Sequence, residues 1–329
     1  MSITSSTRPC DIEALKPFKD YLMYKTLLAD RPVVEMTFDE MKAEAPNWDT
    51  DMMIRGLEHL AEAAARRKTM YDVYSPEECG DDPDKRDVKL FYLPADEQPS
   101  DKPFMLLLSG GGYNCVCSMV ESFPTAVRLN QLGYNCFALN YRVQKNRQEL
   151  EPVLPKPEED IAAALRFISK NQDQFGQKNM EYVIAGYSAG ANAVVIWGTQ
   201  ANGWEKYGMP RPKAMFPIYP AISSEYLGES GKEWFLAMMF GAGFRMETVK
   251  SYDIPETFTP AYPPCYIVHA KDDPAVPVQN SIELKALLDG AGIPSVLELI
   301  ETGGHGWGDG SGTAAAGWPD RAAAFVETL

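Results

Sequence analysis

Residues 182–190 read Tyr182-Val183-Ile184-Ala185-Gly186-Tyr187-Ser188-Ala189-Gly190, and this stretch decides the fold. A short apolar run enters Gly186, and from Ala191 the chain continues as a helical pattern. Between them lies G-x-S-x-G. A strand-to-helix turn this tight leaves room only for glycine at the flanking positions and thrusts the serine hydroxyl clear of the sheet. The helix that follows brings the positive end of its dipole near Ser188, which favours developing negative charge.

Outward from this turn the same alternation repeats. Apolar runs stand at residues 104–108, 135–141, 215–219, 265–269 and 296–300, and a strand pair at 70–74 and 88–93 is linked by the turn-rich stretch 77–87. Runs of this kind suit strands buried on both faces of a mainly parallel sheet. Helical patterns fill the intervals at 122–132, 158–171, 189–200, 278–289 and 314–328. Strand alternating with helix in this way is the signature of a doubly wound α/β sheet with helices on both faces.

Two segments depart from that rhythm. Residues 1–68 read as a helical extension to the α/β body at 69–329. Within it, residues 11–29 carry Ile12, Leu15, Phe18, Leu22 and Met23 near helical spacing, and residues 49–67 carry Met52, Met53, Leu57, Leu60 and Ala64 behind a polar N-cap. A helix pair this small cannot bury both apolar faces alone. The faces are expected to pack on the body, on a cap or on a second copy, the last giving a homodimer. Residues 222–262, with Trp234, Phe235, Met238, Met239, Phe240 and Phe244, read either as a cap-like insertion over the site or as an ordinary outer helix.

The formal net charge of −15 over 329 residues disfavours nucleic acid and anionic membrane as partners. No run approaches the roughly 18 apolar residues of a membrane span. The first ten residues lack the apolar core of a secretory signal, so a cytoplasmic location is expected. Cys115 and Cys117 form a C-x-C pair with no second pair and no clustered histidine, so reduced thiols and no metal are expected.

A serine hydroxyl is a poor nucleophile until a base takes its proton. Of the three histidines, His59 lies in the extension and His269 ends an apolar run, which suits packing or structural roles. His305 lies in Thr302-Gly303-Gly304-His305-Gly306-Trp307-Gly308, directly after the last predicted strand. It is the expected base. The acid that orients it should follow the penultimate strand, where Asp272 and Asp273 compete. Asp273, four residues before Pro277 in a D-x-x-V-P pattern, is favoured, and Asp272 is expected to be a turn residue facing solvent. Acyl transfer also needs preorganised N–H donors for its oxyanion. Ser109-Gly110-Gly111-Gly112-Tyr113 follows the 104–108 run, and its glycines let backbone approach a substrate unobstructed. The amides of Gly111, Gly112 and Ala189 are the expected oxyanion hole. Tyr113 and Trp307, beside the loop and the base, are candidate substrate contacts. With no lysine in a P-loop position and no G-x-G-x-x-G, nucleotide binding is disfavoured.

Taken together, these blocks resemble the acetyl xylan esterase-like branch of the α/β-hydrolases, which includes bifunctional feruloyl and acetyl esterases. The resemblance runs through Ser109–Tyr113 with Glu121-Ser122-Phe123-Pro124-Thr125-Ala126, then Asn140-Tyr141-Arg142-Val143, the elbow at 186–190, the stretches 259–264 and 272–281, Gly303-Gly304-His305-Gly306, and Gly317-Trp318-Pro319. Ser109 departs from the proline or histidine usual before the glycines, and the first 68 residues lie outside the resemblance. What it implies is the α/β-hydrolase fold, ester hydrolysis without a cofactor, and a small-molecule or oligosaccharide ester as substrate, with acetyl as the leading acyl group. A prolyl-oligopeptidase-like serine peptidase shares the fold and the Ser-Asp-His order. That class generally carries a large gating domain, which 68 residues cannot build. A non-catalytic binding protein on the same scaffold would be expected to have lost a member of the triad.

Overall fold

In the computed structural model, which describes residues 3–145 and 150–329, the apolar runs pair into one eight-stranded sheet. A two-residue hairpin, β1 (Leu27–Leu28) with β2 (Arg31–Pro32), stands apart from it. The sheet comprises β3 (Met70–Asp72), β4 (Lys89–Leu93), β5 (Phe104–Leu108), β6 (Cys136–Asn140), β7 (Tyr182–Tyr187), β8 (Ala214–Ile218), β9 (Cys265–Ala270) and β10 (Ser295–Ile300). Their spatial order is β10-β9-β8-β7-β5-β6-β4-β3. Pairing is parallel from β10 through β6 and antiparallel at β4 and β3.

The first helices in chain order are α1 (Lys19–Leu22), α2 (Phe38–Glu44), α3 (Thr50–Arg66), α4 (Pro76–Cys79), α5 (Ser122–Gln131) and α6 (Lys156–Lys170). They are followed by α7 (Ala189–Trp197), α8 (Glu229–Phe240), α9 (Met246–Lys250), α10 (Ile254–Thr257), α11 (Gln279–Gly290) and α12 (Trp318–Glu327). Alternate strand residues feed two cores. Met105, Leu107, Val183 and Ala185 meet α5 and α12 on one face. Phe104, Leu106, Leu108, Tyr182 and Ile184 meet α6, α7 and α11 on the other. Every residue of β4 through β9 is buried, which is why those segments carry no polar alternation. Arg142, buried just past β6, bonds Asp160, Asp82 and Glu159 and so ties that strand end to α6.

The extension differs from its sequence reading in one half. Residues 49–67 do form α3, capped by the Asp49 side chain on the Met52 amide. Residues 11–29 do not form one helix: they break into 3-10 turns at Pro9–Asp11 and Glu13–Phe18, the single turn of α1, and β1. Pro17 lies inside the second turn and cannot donate to a helical ladder. Lys25 and Ala29 have positive φ, which ends any helix there. The apolar spacing is spent on burial instead. Leu15, Leu22, Phe38, Met53 and Leu57 share one continuous core with Phe91, Phe123 and Trp318. A Cβ on Gly56 would lie 3.0 Å from the Pro124 nitrogen, so α3 rests directly on the backbone of α5. His59 bonds Asn130 at 2.6 Å in the same layer. Among the described residues, no helix is long and apolar enough to cross a membrane.

Because Leu57 is fully buried between α3 and the sheet-covering layer, Leu57→Ala should leave a cavity. It is expected to cost about 2–5 kcal/mol, read as a lower denaturation midpoint at unchanged slope. A midpoint equal to that of the wild type would show that the extension adds nothing to the core.

Candidate active site

Strands β5, β7, β8, β9 and β10 finish at one edge of the sheet. Leu108 lies opposite Gly186, Tyr187 opposite Ile218, and Ala270 opposite Ile300. The loops that follow them therefore meet in one crevice, which is where parallel α/β sheets place ligands.

Ser188 sits at the β7–α7 turn with φ +52° and ψ −117°, a conformation that L residues rarely adopt. Its amide donates to the Ile218 carbonyl at 3.1 Å, and its carbonyl accepts from the Asn192 amide at 2.9 Å. A Cβ on Gly186 would lie 2.3 Å from the Gly190 oxygen, and one on Gly190 would lie 2.2 Å from the Leu108 oxygen. Neither position admits a larger residue.

The three residues expected to act together are brought together. His305 Nε2 lies 2.8 Å from Ser188 Oγ, and His305 Nδ1 lies 2.7 Å from Asp273 Oδ2. Asp273 Oδ1 accepts from the amides of Ala275 and Val276 at 2.8 and 2.9 Å. Burial of Asp273 would raise its pKa, but hydrogen bonds from His269 and His305 outweigh that and hold it well below the usual carboxylate range.

Asp272 is the exposed turn residue expected, and it has a further part. Its Oδ1 accepts from the amides of Gly303 and Gly304 at 2.9 and 2.8 Å, which braces the loop carrying His305. His269 lies under the acid: Nε2 is 3.2 Å from Asp273 Oδ2 and 3.0 Å from the Val276 oxygen, and Nδ1 is 2.7 Å from Ser281 Oγ. The sequence signal for this was the four-residue spacing from His269 to Asp273 across a strand end.

On the glycine loop, the Gly110 amide donates to Glu121 Oε2 at 2.5 Å. The amides of Gly111 and Gly112 meet no acceptor among the described residues, and the backbone turns there through φ +136° and +60°. Ala189 begins α7, where an amide has no partner within the helix. Glu121 is fully buried, and its Oε1 accepts from the Tyr219 hydroxyl at 2.8 Å. Burial pushes its carboxyl up to about 7, only partly offset by those two donors. Tyr219, just past β8, sets its ring 4.6 Å from that of His305, tilted against it, and 4.9 Å from that of Trp307. Neither Glu121 nor Tyr219 stood out by residue type alone, although Glu121 opens one of the quoted blocks.

The two candidate substrate contacts lie deeper than expected. Tyr113 is fully buried, with its hydroxyl on Asn192 Oδ1 at 2.7 Å and its ring beside Phe235 of α8. Trp307 is only 3% exposed, packed edge-on against Tyr219. An exposed aromatic at the crevice is Trp234 of α8, 54% exposed, whose ring would lie 3.2 Å from a Cβ on Gly112.

A sequence profile described as BD-FAE matches residues 90–218, and one described as Prolyl oligopeptidase family matches residues 155–328. Endo-1,4-beta-xylanase B of Butyrivibrio fibrisolvens is 28% identical over 244 residues, covering 72% of this chain and 37% of its own length. Esterase LipQ of Mycobacterium tuberculosis is 24% identical over 211 residues, covering 59% of this chain and 47% of its own length. The chain thus spans less than half the length of either curated relative. Among solved structures, the acetyl ester-xyloside bifunctional hydrolase of Caldicellulosiruptor lactoaceticus superposes with a TM-score of 0.66 at 23% identity, over 80% of this chain and 96% of that one. With the sheet order and the elbow already described, a profile match over more than half of its residues means that the chain belongs to the prolyl oligopeptidase family of α/β-hydrolases.

Proposed function

We propose that the protein is a serine carboxylesterase that removes short acyl groups, acetyl foremost, from carbohydrate esters through an acyl-enzyme intermediate. The observation that carries the reading is the unbroken relay from Ser188 Oγ to His305 to Asp273, at 2.8 and 2.7 Å. In this mechanism neutral His305 accepts the Ser188 proton at Nε2 as Oγ attacks the ester carbonyl carbon. The carbonyl oxygen becomes an oxyanion, facing the amides of Gly111, Gly112 and Ala189. Asp273 holds the Nδ1–H tautomer and stabilises the imidazolium. Collapse breaks the bond to the alcohol, which leaves with the Nε2 proton. Water then attacks the acyl-serine, giving its proton to Nε2, and the second collapse returns that proton to Ser188 and frees the carboxylic acid.

The substrate class draws on the relatives and on Trp234. One relative is named a xylanase, another an esterase, and the solved neighbour is an acetyl ester-xyloside bifunctional hydrolase. An exposed indole beside the glycine loop offers a flat apolar face to a sugar ring. The family name favours a peptidase as the second reading. The two part on one assay: p-nitrophenyl acetate should be cleaved readily and aminoacyl-naphthylamides scarcely, and the reverse order would overturn the esterase reading.

Ser188→Ala and His305→Ala should each lower kcat on p-nitrophenyl acetate by about 10⁴-fold or more, and the double variant should be no worse than either, because the residues act as one unit. Asp273→Asn is expected to cost about 10⁴-fold. Asp272→Asn, which retains an acceptor oxygen for the Gly303 and Gly304 amides, should cost far less. The reverse ranking of the two aspartates, in steady-state kinetics on folded protein, would remove Asp273 from its role.

Trp234→Ala separates sugar from acyl recognition. It is expected to raise KM for an acetylated xylo-oligosaccharide about tenfold, equivalent to about 1.4 kcal/mol, while KM for p-nitrophenyl acetate stays nearly constant. Equal changes on both substrates would show that Trp234 contacts no sugar.

A further inference from the structure

No step of the hydrolysis uses Glu121, yet this buried carboxyl lies between two parts of the site. On one side its Oε2 accepts from the Gly110 amide at 2.5 Å. Gly110 is the residue where the glycine loop passes the nucleophile, since a Cβ there would lie 2.8 Å from the Ser188 Cβ. The Gly110 carbonyl accepts from the Cys117 amide at 3.0 Å and so closes the loop on itself. On the other side, Oε1 accepts from the Tyr219 hydroxyl at 2.8 Å. Tyr219 has φ +42°, and its ring packs 4.6 Å from the His305 ring. The Gly110 amide can only donate, and the Tyr219 hydroxyl donates here although it can also accept. An ionised carboxylate, which only accepts, takes both bonds as they stand, whereas a protonated acid or an amide must turn a hydrogen toward Tyr219 and reverse that bond.

We infer that Glu121 is a positioning residue for the hydrolysis, its carboxylate locking the glycine loop through Gly110 and the His305 ring through Tyr219 into one shared geometry. The inference rests on the esterase reading above. The ionisable groups that interact with Glu121 include Cys117, Tyr141, Tyr187, Tyr219 and His305. Burial helps push the thiol and the three phenols well above their ordinary values, so none of these four competes for the proton near neutrality. Glu121 itself, pushed up to about 7, is ionised above that pH and protonated below it. Acidification therefore reverses the Tyr219 bond of the clamp.

The test is the pH profile of kcat/KM on p-nitrophenyl acetate for the wild type, Glu121→Gln, Glu121→Asp and Tyr219→Phe, each checked for folding by thermal melting. The wild type should show a steeper acid limb than Glu121→Gln, by the one protonation that the variant lacks. At the alkaline plateau Glu121→Gln should lose about 100-fold in kcat with KM little changed, the order that a misplacement of about 1 Å costs. Tyr219→Phe keeps the ring and loses only the hydroxyl, so its loss should be smaller and confined to kcat. Glu121→Asp keeps the charge and should recover the steep limb with part of the rate. Wild-type kcat and an equally steep limb in folded Glu121→Gln would overturn the inference. If that variant does not fold, wild-type kcat in Tyr219→Phe does the same. A fluorophosphonate adduct mapped to Ser188 in all variants keeps the esterase reading intact through either result. An adduct on another serine would overturn that reading instead.

Discussion

The tightest constraint in the molecule is the approach of the Ser188 turn to the end of β5. A side chain on Gly190 would strike the Leu108 carbonyl, and one on Gly186 would strike Gly190 itself. Reversing from strand to helix in so little space forces Ser188 to φ +52°, at a cost on the order of 1–3 kcal/mol. The cost is borne by α7, every residue of which is buried, and by the Ser188 amide bonded to Ile218. Strain recurs beside it. Tyr113 and Tyr219 also have positive φ, and each follows a sheet strand with its phenol anchored, one on Asn192 and the other on Glu121. The crevice is thus rimmed by backbone that cannot relax without breaking a buried hydrogen bond.

Two buried acids within this crevice are tuned in opposite directions. Asp273 collects four donors or partners, two backbone amides and two imidazoles, and is held ionised. Glu121 has two donors against complete burial and is pushed up to about 7. The stability consequences are opposite as well. The depressed Asp273 contributes stability that is present above the ordinary carboxyl range and lost as pH falls through its folded value. For Glu121 the stability is fully present below the ordinary carboxyl range and is lost as pH rises through about 7. An ionised Glu121 therefore weakens the fold under alkaline conditions. A residue that costs stability in the state its partners require is better explained by function than by folding, in line with the usual opposition between the two.

What could be read from the chain follows from how local each signal was. The strand runs, the elbow and the order serine, aspartate, histidine depend on short apolar blocks and their neighbours, so their positions agree with the eight-stranded sheet. Asp273 was separable from Asp272 because the bend toward Pro277 is encoded within a few residues. Residues 11–29 were misread because Ile12, Leu15 and Leu22 keep helical spacing while Pro17 forbids the ladder, and burial alone does not need a helix. The bracing by Asp272 and the Glu121–Tyr219 pair were not legible for a different reason. Gly303 lies 31 residues from Asp272 and Tyr219 lies 98 from Glu121, contacts that only the sheet register creates. The burial of Tyr113 and Trp307 was not legible either, because a sequence shows adjacency to a loop and not how deep its side chains pack.

The same register explains why the N-terminal extension belongs to the site without entering it. His305 stands on a glycine-rich loop after β10 that has little regular structure to fix it. Asp272 holds its start through two amides. Its middle is held from the other side by the extension: Asn47 Nδ2 donates to the His305 carbonyl at 3.2 Å, and Arg55 bonds Ser311 Oγ at 3.1 Å. A Cβ on Gly308 would lie 2.1 Å from the Val120 oxygen and 3.1 Å from the Met52 Cε, so the loop is pressed between α3 and the chain entering α5. A base must keep its imidazole within hydrogen-bond reach of the nucleophile through two proton transfers. Here that reach is secured by packing on a segment more than 250 residues away in sequence, which is why Leu57 and Met52 belong to the same core as the strands that carry the serine.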